Sequence, residues 1–182
     1  MDANDTRVQT TFKGAMRRFA STVSIISVQS GAERHGTTAT AVTSVSLDPP
    51  SLLVCINQDS RLHGFLRNEK RFCVNFLQVG NLEVSRAFSS ALTSAERFGH
   101  GDWQTDEHDL PYLADAQANL FCRKDVEVPY GSHTIFIGQV FDARVREDVY
   151  PLLYGNGAYT ECVGVDALLS PGDKTGHKEG AI

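Results

Sequence analysis

Gly36-Thr37-Thr38-Ala39-Thr40-Ala41-Val42-Thr43-Ser44-Val45-Ser46-Leu47-Asp48-Pro49-Pro50-Ser51-Leu52-Leu53-Val54-Cys55-Ile56-Asn57 is the stretch whose reading decides the fold. Its first half is dense in Thr, Val and Ser, residues suited to extended backbone, and it predicts one long strand over residues 37–47. Asp48-Pro49-Pro50 stops that strand, because proline has no N–H for a ladder and pushes the residue before it into an extended shape. Residues 51–57 are a nearly continuous apolar run with the length of a buried strand.

Upstream, Phe12, Ala15, Met16 and Phe19 recur at helical spacing with Lys13, Arg17 and Arg18 between them, which predicts a short amphipathic helix. Residues 23–28 read as a strand and 29–34 as a turn around Gly31. Downstream, Ser60 is placed to cap a short helix reaching about Arg67, residues 71–77 form a strand, and 81–90 a helix. Residues 93–110 are polar and hold the only tryptophan, Trp103; they read as a long loop with one helical turn, the kind of loop that often serves as a lid or binding loop. Two strands follow, 116–128 and 132–146, joined around Pro129-Tyr130-Gly131, and segments 151–154 and 158–163 complete the folded part.

Many strands with few crossover-length helices predict a mainly β fold, an antiparallel sheet closing into a barrel, with an N-terminal helix and short peripheral helices. The expected organisation is an extension over residues 1–10, one domain over 11–165, and a loose tail over 166–182 rich in Gly and charge.

The totals exclude several function classes. The chain has 182 residues, 21% of them charged, and a net charge of -5 without any basic run, which argues against a nucleic-acid binder or a protein drawn to an anionic membrane surface. No stretch is apolar enough to span a bilayer and the start, Met1-Asp2-Ala3-Asn4-Asp5, lacks the positive and apolar blocks of a secretory signal, so the expected location is the cytoplasm. Cys55, Cys73, Cys122 and Cys162 have no C-x-x-C spacing; the first three lie in apolar strand-like runs and read as buried free thiols. The histidines show no metal-ligand spacing, so no metal is expected.

Three places could carry chemistry. Residues 36–46 combine hydroxyl and small side chains, which suits a flat heteroaromatic ring lying close to the backbone; a threonine-rich strand with one wet face is the plain alternative. Asn57-Gln58-Asp59-Ser60-Arg61 opens a helix, where free N–H groups and Arg61 favour an anion, though a plain serine cap with a solvated arginine reads equally well. Ser85 and Arg86 carry the same ambiguity, and His133 begins a strand next to Gly131 and Ser132. No G-x-G-x-x-G follows any strand, so a nicotinamide cofactor is not expected to be held in the Rossmann manner.

The run from Gly36 to Asn57 resembles the flavin reductase-like family, the small reductase components of two-component flavin monooxygenases such as 4-hydroxyphenylacetate 3-monooxygenase. Residues 12–26 are similar to that family's opening helix and first strand, Arg71-Phe72-Cys73-Val74-Asn75 to its next core strand, and Gly131-Ser132-His133-Thr134-Ile135-Phe136-Ile137-Gly138 to its Gly-Asp-His strand start. The resemblance implies an antiparallel split β-barrel, a homodimer with flavin near the interface, and reduction of FMN or FAD by NADH or NADPH. Reduced flavin then passes to a partner oxygenase. A flavin-carrying barrel without turnover is the alternative.

Carried over by position, Thr38, Thr40, Ala41, Val42, Thr43, Ser44 and Cys55 are expected along the isoalloxazine and ribityl chain, and Asn57, Ser60 and Arg61 at the ribityl-phosphate end. Ser85 and Arg86 are further phosphate contacts, Tyr154 completes the cofactor set, and His133 lies near the nicotinamide as the catalytic candidate. The chain departs from the family pattern at Ser132, which stands where Asp is usual, at Arg86, one place displaced, and at Leu152-Leu153-Tyr154-Gly155-Asn156-Gly157, where many members read Leu-Leu-Phe-Tyr-Arg-Gly.

Overall fold

In a computed structural model, which describes residues 3–165, the chain runs α1 (Ala3–Met16), β1 (Ser21–Thr22), β2 (Ser24–Ser30), β3 (Glu33–Ala39), β4 (Val42–Leu47), β5 (Pro50–Asn57), α2 (Arg61–Asn68), β6 (Arg71–Phe76), α3 (Leu82–Ser89), α4 (Ser94–Arg97), β7 (Trp103–Thr105), β8 (Pro111–Leu113), β9 (Ala118–Tyr130), β10 (His133–Val145), β11 (Leu152–Gly155) and β12 (Ala158–Glu161). The tail expected over residues 166–182 lies outside the described residues.

Seven strands form one antiparallel sheet in the order β3-β2-β6-β9-β10-β5-β4. Its two edges, β3 and β4, are consecutive in sequence. The strand expected over 37–47 is therefore two strands, separated by a bend at Thr40 and Ala41. Up to Ala39 the chain pairs with β2, and from Val42 it pairs with β5, while the Cys55 N–H donates to the Ala41 carbonyl at 3.0 Å. A single straight strand cannot pair with both edges; the bend lets it bridge them and curl the sheet toward a barrel.

The hairpin β9–β10 turns at Gly131, whose φ of +56° is the left-handed region that glycine enters without a Cβ clash. Its register shifts between Ile137 and Gly138 and again between Val140 and Asp142, bulges that bend the long pair around the core. Gly138 lies against Phe72 inside that curve. A Cβ added there would come within 2.6 Å of Phe72 Cζ and 2.9 Å of Cys122 Cβ, both rigidly packed. Gly138→Ala is therefore expected to destabilise the protein by about 1–3 kcal/mol through overpacking, read as a lower urea midpoint at unchanged slope.

Residues Val23, Ser24, Ile25, Ile26, Ser27 and Val28 are all buried because β2 is covered on both faces. Ile26 and Val28 point into the barrel core with Val54, Phe72, Val74 and Phe136, and α2 closes it with Leu62 and Leu66. Ile25 faces the other way, into a second core built with Val84, Ala87 and Phe88 of α3 and with Phe98. Much of the expected loop over 93–110 is ordered in this second layer. Thr93 caps α4 in a reciprocal capping box with Glu96, β7 and β8 pair, and the Trp103 ring packs on Phe88 and Phe98 at 5.1 and 4.6 Å. Trp103 packs, half-buried, against this second core.

The N-terminal helix also differs from expectation. It starts at Ala3, so the proposed break after residue 10 falls inside α1, and it ends before Phe19. Phe12, Met16 and Phe19 are 63%, 49% and 66% exposed, so the apolar stripe has no cover within the single chain.

Candidate active site

The end of β5 and the start of β10 are register partners, which sets Asn57 opposite His133. The turn after β5 is tied to that pair. The Gln58 N–H donates to the Ser132 carbonyl at 3.0 Å, and Gln58 Nε2 donates to the His133 carbonyl at 3.0 Å. The Asn57 side chain accepts from the Asp59 N–H at 2.9 Å, and Ser60 caps α2 by accepting from the His63 N–H at 3.2 Å. Asn57, Ser60, Arg61 and His133 are thus gathered by backbone pairing and one helix cap. The first turn of α2 carries no acidic residue and Arg61 has no ion-pair partner among the described residues, so its charge beside the helix start is left for an anion.

His133 is exposed, and its Nδ1 lies 2.9 Å from Ser132 Oγ. The serine that stands where the family has Asp therefore still orients the ring, through a neutral hydroxyl in place of a carboxylate. The neighbouring His63, which sequence reasoning passed over, bridges α2 to β10 with Nε2 2.8 Å from Thr134 Oγ1.

Strand β4 is an edge strand, so one side of its backbone has N–H and C=O groups unpaired by sheet. Thr40, Ala41, Thr43 and Ser44 are exposed, Val42 is half-buried, and the Thr40, Thr43 and Ser44 hydroxyls make no hydrogen bond among the described residues. A row of free backbone and hydroxyl donors and acceptors beside small side chains fits the polar edge of an isoalloxazine ring. Cys55 is half-buried in β5 on the neighbouring ladder, and burial raises its thiol pKa. Burial also raises the fully enclosed Cys73 well above the usual range and pushes Cys122 to about 12, so neither is a nucleophile at neutral pH.

The remaining expected contacts form a second group. Thr38 Oγ1 lies 3.0 Å from Ser89 Oγ, which itself donates to the Ser85 carbonyl at 2.8 Å, so α3 is fastened to β3. Ser85 is completely buried and its hydroxyl lies 3.0 Å from the Tyr159 hydroxyl, whose ring meets Tyr154 edge-on at 5.4 Å. Ser85 is a structural link between α3 and β12. Arg86 lies on the exposed face of α3. It forms a surface ion pair with Glu83 at 2.6 Å one helical turn away, because an i, i+3 carboxylate is the nearest partner on that face. Tyr154 remains partly exposed beside β1.

Beyond Ser60 and Arg61 a cleft of about 950 Å³ opens between β3, α2 and residues 91–98. His35 lies in it, stacked on Phe65 with ring centroids 3.4 Å apart. Burial lowers its pKa, with the Arg61 charge acting in the same direction and Glu33 opposing, so the ring favours its neutral form. Among the described residues no group of three His, Cys, Asp or Glu side chains is placed to hold a metal ion.

This arrangement matches known proteins over most of its length. The chain is 46% identical over 161 residues to the reductase component of an FADH(2)-dependent resorcinol hydroxylase of Rhizobium sp. (strain MTP-10005), covering 87% of this chain and 89% of the relative. It is 34% identical over 151 residues to the FMN reductase (NADH) RutF of Pseudomonas syringae pv. syringae, covering 83% of this chain and 85% of that one. Among solved structures, the NADH:FAD oxidoreductase SgcE6 of Streptomyces globisporus C-1027, in complex with NAD and FAD fragments, superposes with a TM-score of 0.80 at 29% identity, covering 86% of this chain and 94% of that one. The flavin reductase like domain family matches residues 16–162, and the chain belongs to that family.

Proposed function

We propose that this protein is an NADH-dependent flavin reductase that reduces FMN or FAD and passes the reduced flavin to a partner flavin-dependent oxygenase. The observation that carries the reading is that β5 joins three features: the free β4 edge pairs along it, α2 with the unpaired Arg61 follows it, and His133 stands opposite its last residue, Asn57. The relatives add the direction of transfer: one is the reductase component of a hydroxylase, another an FMN reductase that uses NADH.

In this reading bound flavin supplies the hydride acceptor and the nicotinamide the donor; the protein supplies placement. Thr40, Ala41, Val42, Thr43 and Ser44 line the ring, with backbone N–H groups of β4 able to stabilise negative charge on it. Thr38 and Cys55 flank that strand from β3 and β5. Asn57 and Ser60 take the ribityl chain, and Arg61 with the first amides of α2 takes the phosphate. His133 positions the nicotinamide, and Tyr154 borders the site. No carboxylate base is required, which suits a site made of hydroxyl and small side chains.

The protein acts as a homodimer. Leu47, Tyr130 and Val145 are 91%, 81% and 75% exposed, apolar side chains that a second copy of the chain would cover. A solution mass near twice 19.9 kDa checks this. Free thiols at Cys73 and Cys122 suit a reducing compartment, the cytoplasm.

Loss of NADH absorbance on adding FMN, FAD or riboflavin tests the function. Rapid flavin-dependent oxidation is the expected result, whereas flavin binding without oxidation would leave a flavin carrier. His133→Ala is expected to raise the KM for NADH about tenfold, the effect of one lost hydrogen bond to a ligand, while flavin affinity stays within about twofold. An equal loss of flavin binding would place the histidine in the wrong pocket.

A further inference from the structure

Helix α2 is capped by Ser60 and opens with Arg61, and strand β10 opens with His133. Among the described residues one hydrogen bond joins the helix itself to that strand: His63 Nε2 lies 2.8 Å from Thr134 Oγ1. Both partners sit beside the functional groups. His63 stands two residues after Arg61, and its own N–H is the one that the Ser60 side chain accepts, at 3.2 Å. Thr134 directly follows His133 and is 2% exposed. His63 is the only partner of the Thr134 hydroxyl among the described residues, so a buried polar group is satisfied through this single contact. The imidazole is also held from the core side. Its ring centroid lies 5.7 Å from that of the completely buried Phe136, with the planes tilted by 60°.

The far end of α2 is fastened independently. Lys124 Nζ of β9 donates to the Leu66 and Arg67 carbonyls at 2.8 and 2.6 Å, satisfying acceptors that a helix end leaves open. Leu62 and Leu66 bury the helix against the barrel core. Breaking the His63 contact therefore leaves the helix docked and loosens its start relative to β10.

We propose, resting on the flavin reductase reading, that His63 is a positioning residue for hydride transfer: through Thr134 it fixes the phosphate-holding start of α2 relative to His133. A flavin that bears a phosphate is tethered to α2, so the place of its ring follows the place of the helix start. The nicotinamide beside His133 follows β10. The His63–Thr134 bond keeps the two within the tolerance that hydride transfer needs, where a displacement of about 1 Å costs up to about a hundredfold in rate. Riboflavin has no phosphate and no tether to α2, so its reduction does not pass through this link.

His63→Ala, His63→Gln, Thr134→Val and Lys124→Met are compared with wild type for NADH oxidation with FMN and with riboflavin, and for melting temperature. His63→Ala and Thr134→Val should each lower kcat with FMN about tenfold, with the KM for NADH and the Kd for FMN within about threefold and kcat with riboflavin within about twofold. The double variant should lose no more than either single change, because both remove one contact. Glutamine, which returns an amide N–H at a similar reach, should bring kcat with FMN to within about threefold of wild type. Lys124→Met should lower the melting temperature without the FMN-selective loss. If His63→Ala fails to fold, Thr134→Val carries the same comparison. An unchanged kcat with FMN, an equal loss with riboflavin, a glutamine variant no better than alanine, or the same FMN-selective loss in Lys124→Met overturns the proposal and leaves His63 a packing residue. Failure of the wild-type protein to oxidise NADH with any flavin would instead overturn the reductase reading itself.

Discussion

Asn75→Leu is expected to lower the unfolding free energy by about 3–5 kcal/mol, a large share of the stability of a domain this size. Asn75 is completely buried in β6 and every hydrogen-bonding position of its side chain is used. Its Nδ2 donates to the Ile25 carbonyl at 2.9 Å and lies 2.9 Å from Ser27 Oγ; its Oδ1 accepts from the Leu113 N–H and from Asn119 Nδ2, both at 2.9 Å. One side chain thus joins β2, β6, β8 and β9. Leucine has the same branched arrangement of heavy atoms but satisfies none of the four partners. Of these, Asn119 Nδ2 keeps its bond to the Leu113 carbonyl, and Ser27 Oγ keeps its bond to the Pro111 carbonyl. The Leu113 N–H loses its acceptor in a buried site, where an orphaned group costs about 1–3 kcal/mol. Thermal unfolding should fall by about 10 °C or more. Replacing both Asn75 and Asn119 by leucine should cost less than the sum of the single changes, since orphaned partners are removed together. A single-variant loss below about 1 kcal/mol would show that the network is incidental.

Arg61→Glu carries the largest expected effect on activity. Arg61 stands at the first helical position of α2, after the Ser60 cap and with no carboxylate partner, so the substitution removes a phosphate donor and puts a negative charge beside the anion. The KM for FMN and for FAD should rise about ten- to a hundredfold, while riboflavin, which has no phosphate, should be used as before. Because the arginine is exposed, added salt should narrow the gap between variant and wild type. A riboflavin loss equal to the FMN loss would show that Arg61 supports the ring and not the phosphate.

Much of the local structure was legible in the residues themselves. The serine cap of α2, the proline stop before β5, the glycine turn between β9 and β10 and the apolar run of β5 are each encoded within a few neighbours, and each lies where the sequence put it. The clustering of Asn57, Ser60, Arg61 and His133 was legible through the family resemblance, and the β5–β10 register supplies its physical cause.

What the sequence alone determined is therefore the elements and their mainly antiparallel β class, since period, capping and turn chemistry act over short separations. The tertiary structure alone decided four things. The threonine-rich run bends at Thr40 and Ala41 to serve both edges of the sheet; Ser85 is turned inward to Tyr159; Trp103 is taken into the second core; and Arg34, Arg61 and Arg97 meet in one cleft. Each of these rests on contacts between residues far apart in the chain, where a local propensity is outweighed by the gain of pairing an edge, burying a ring or enclosing a hydroxyl with its partner.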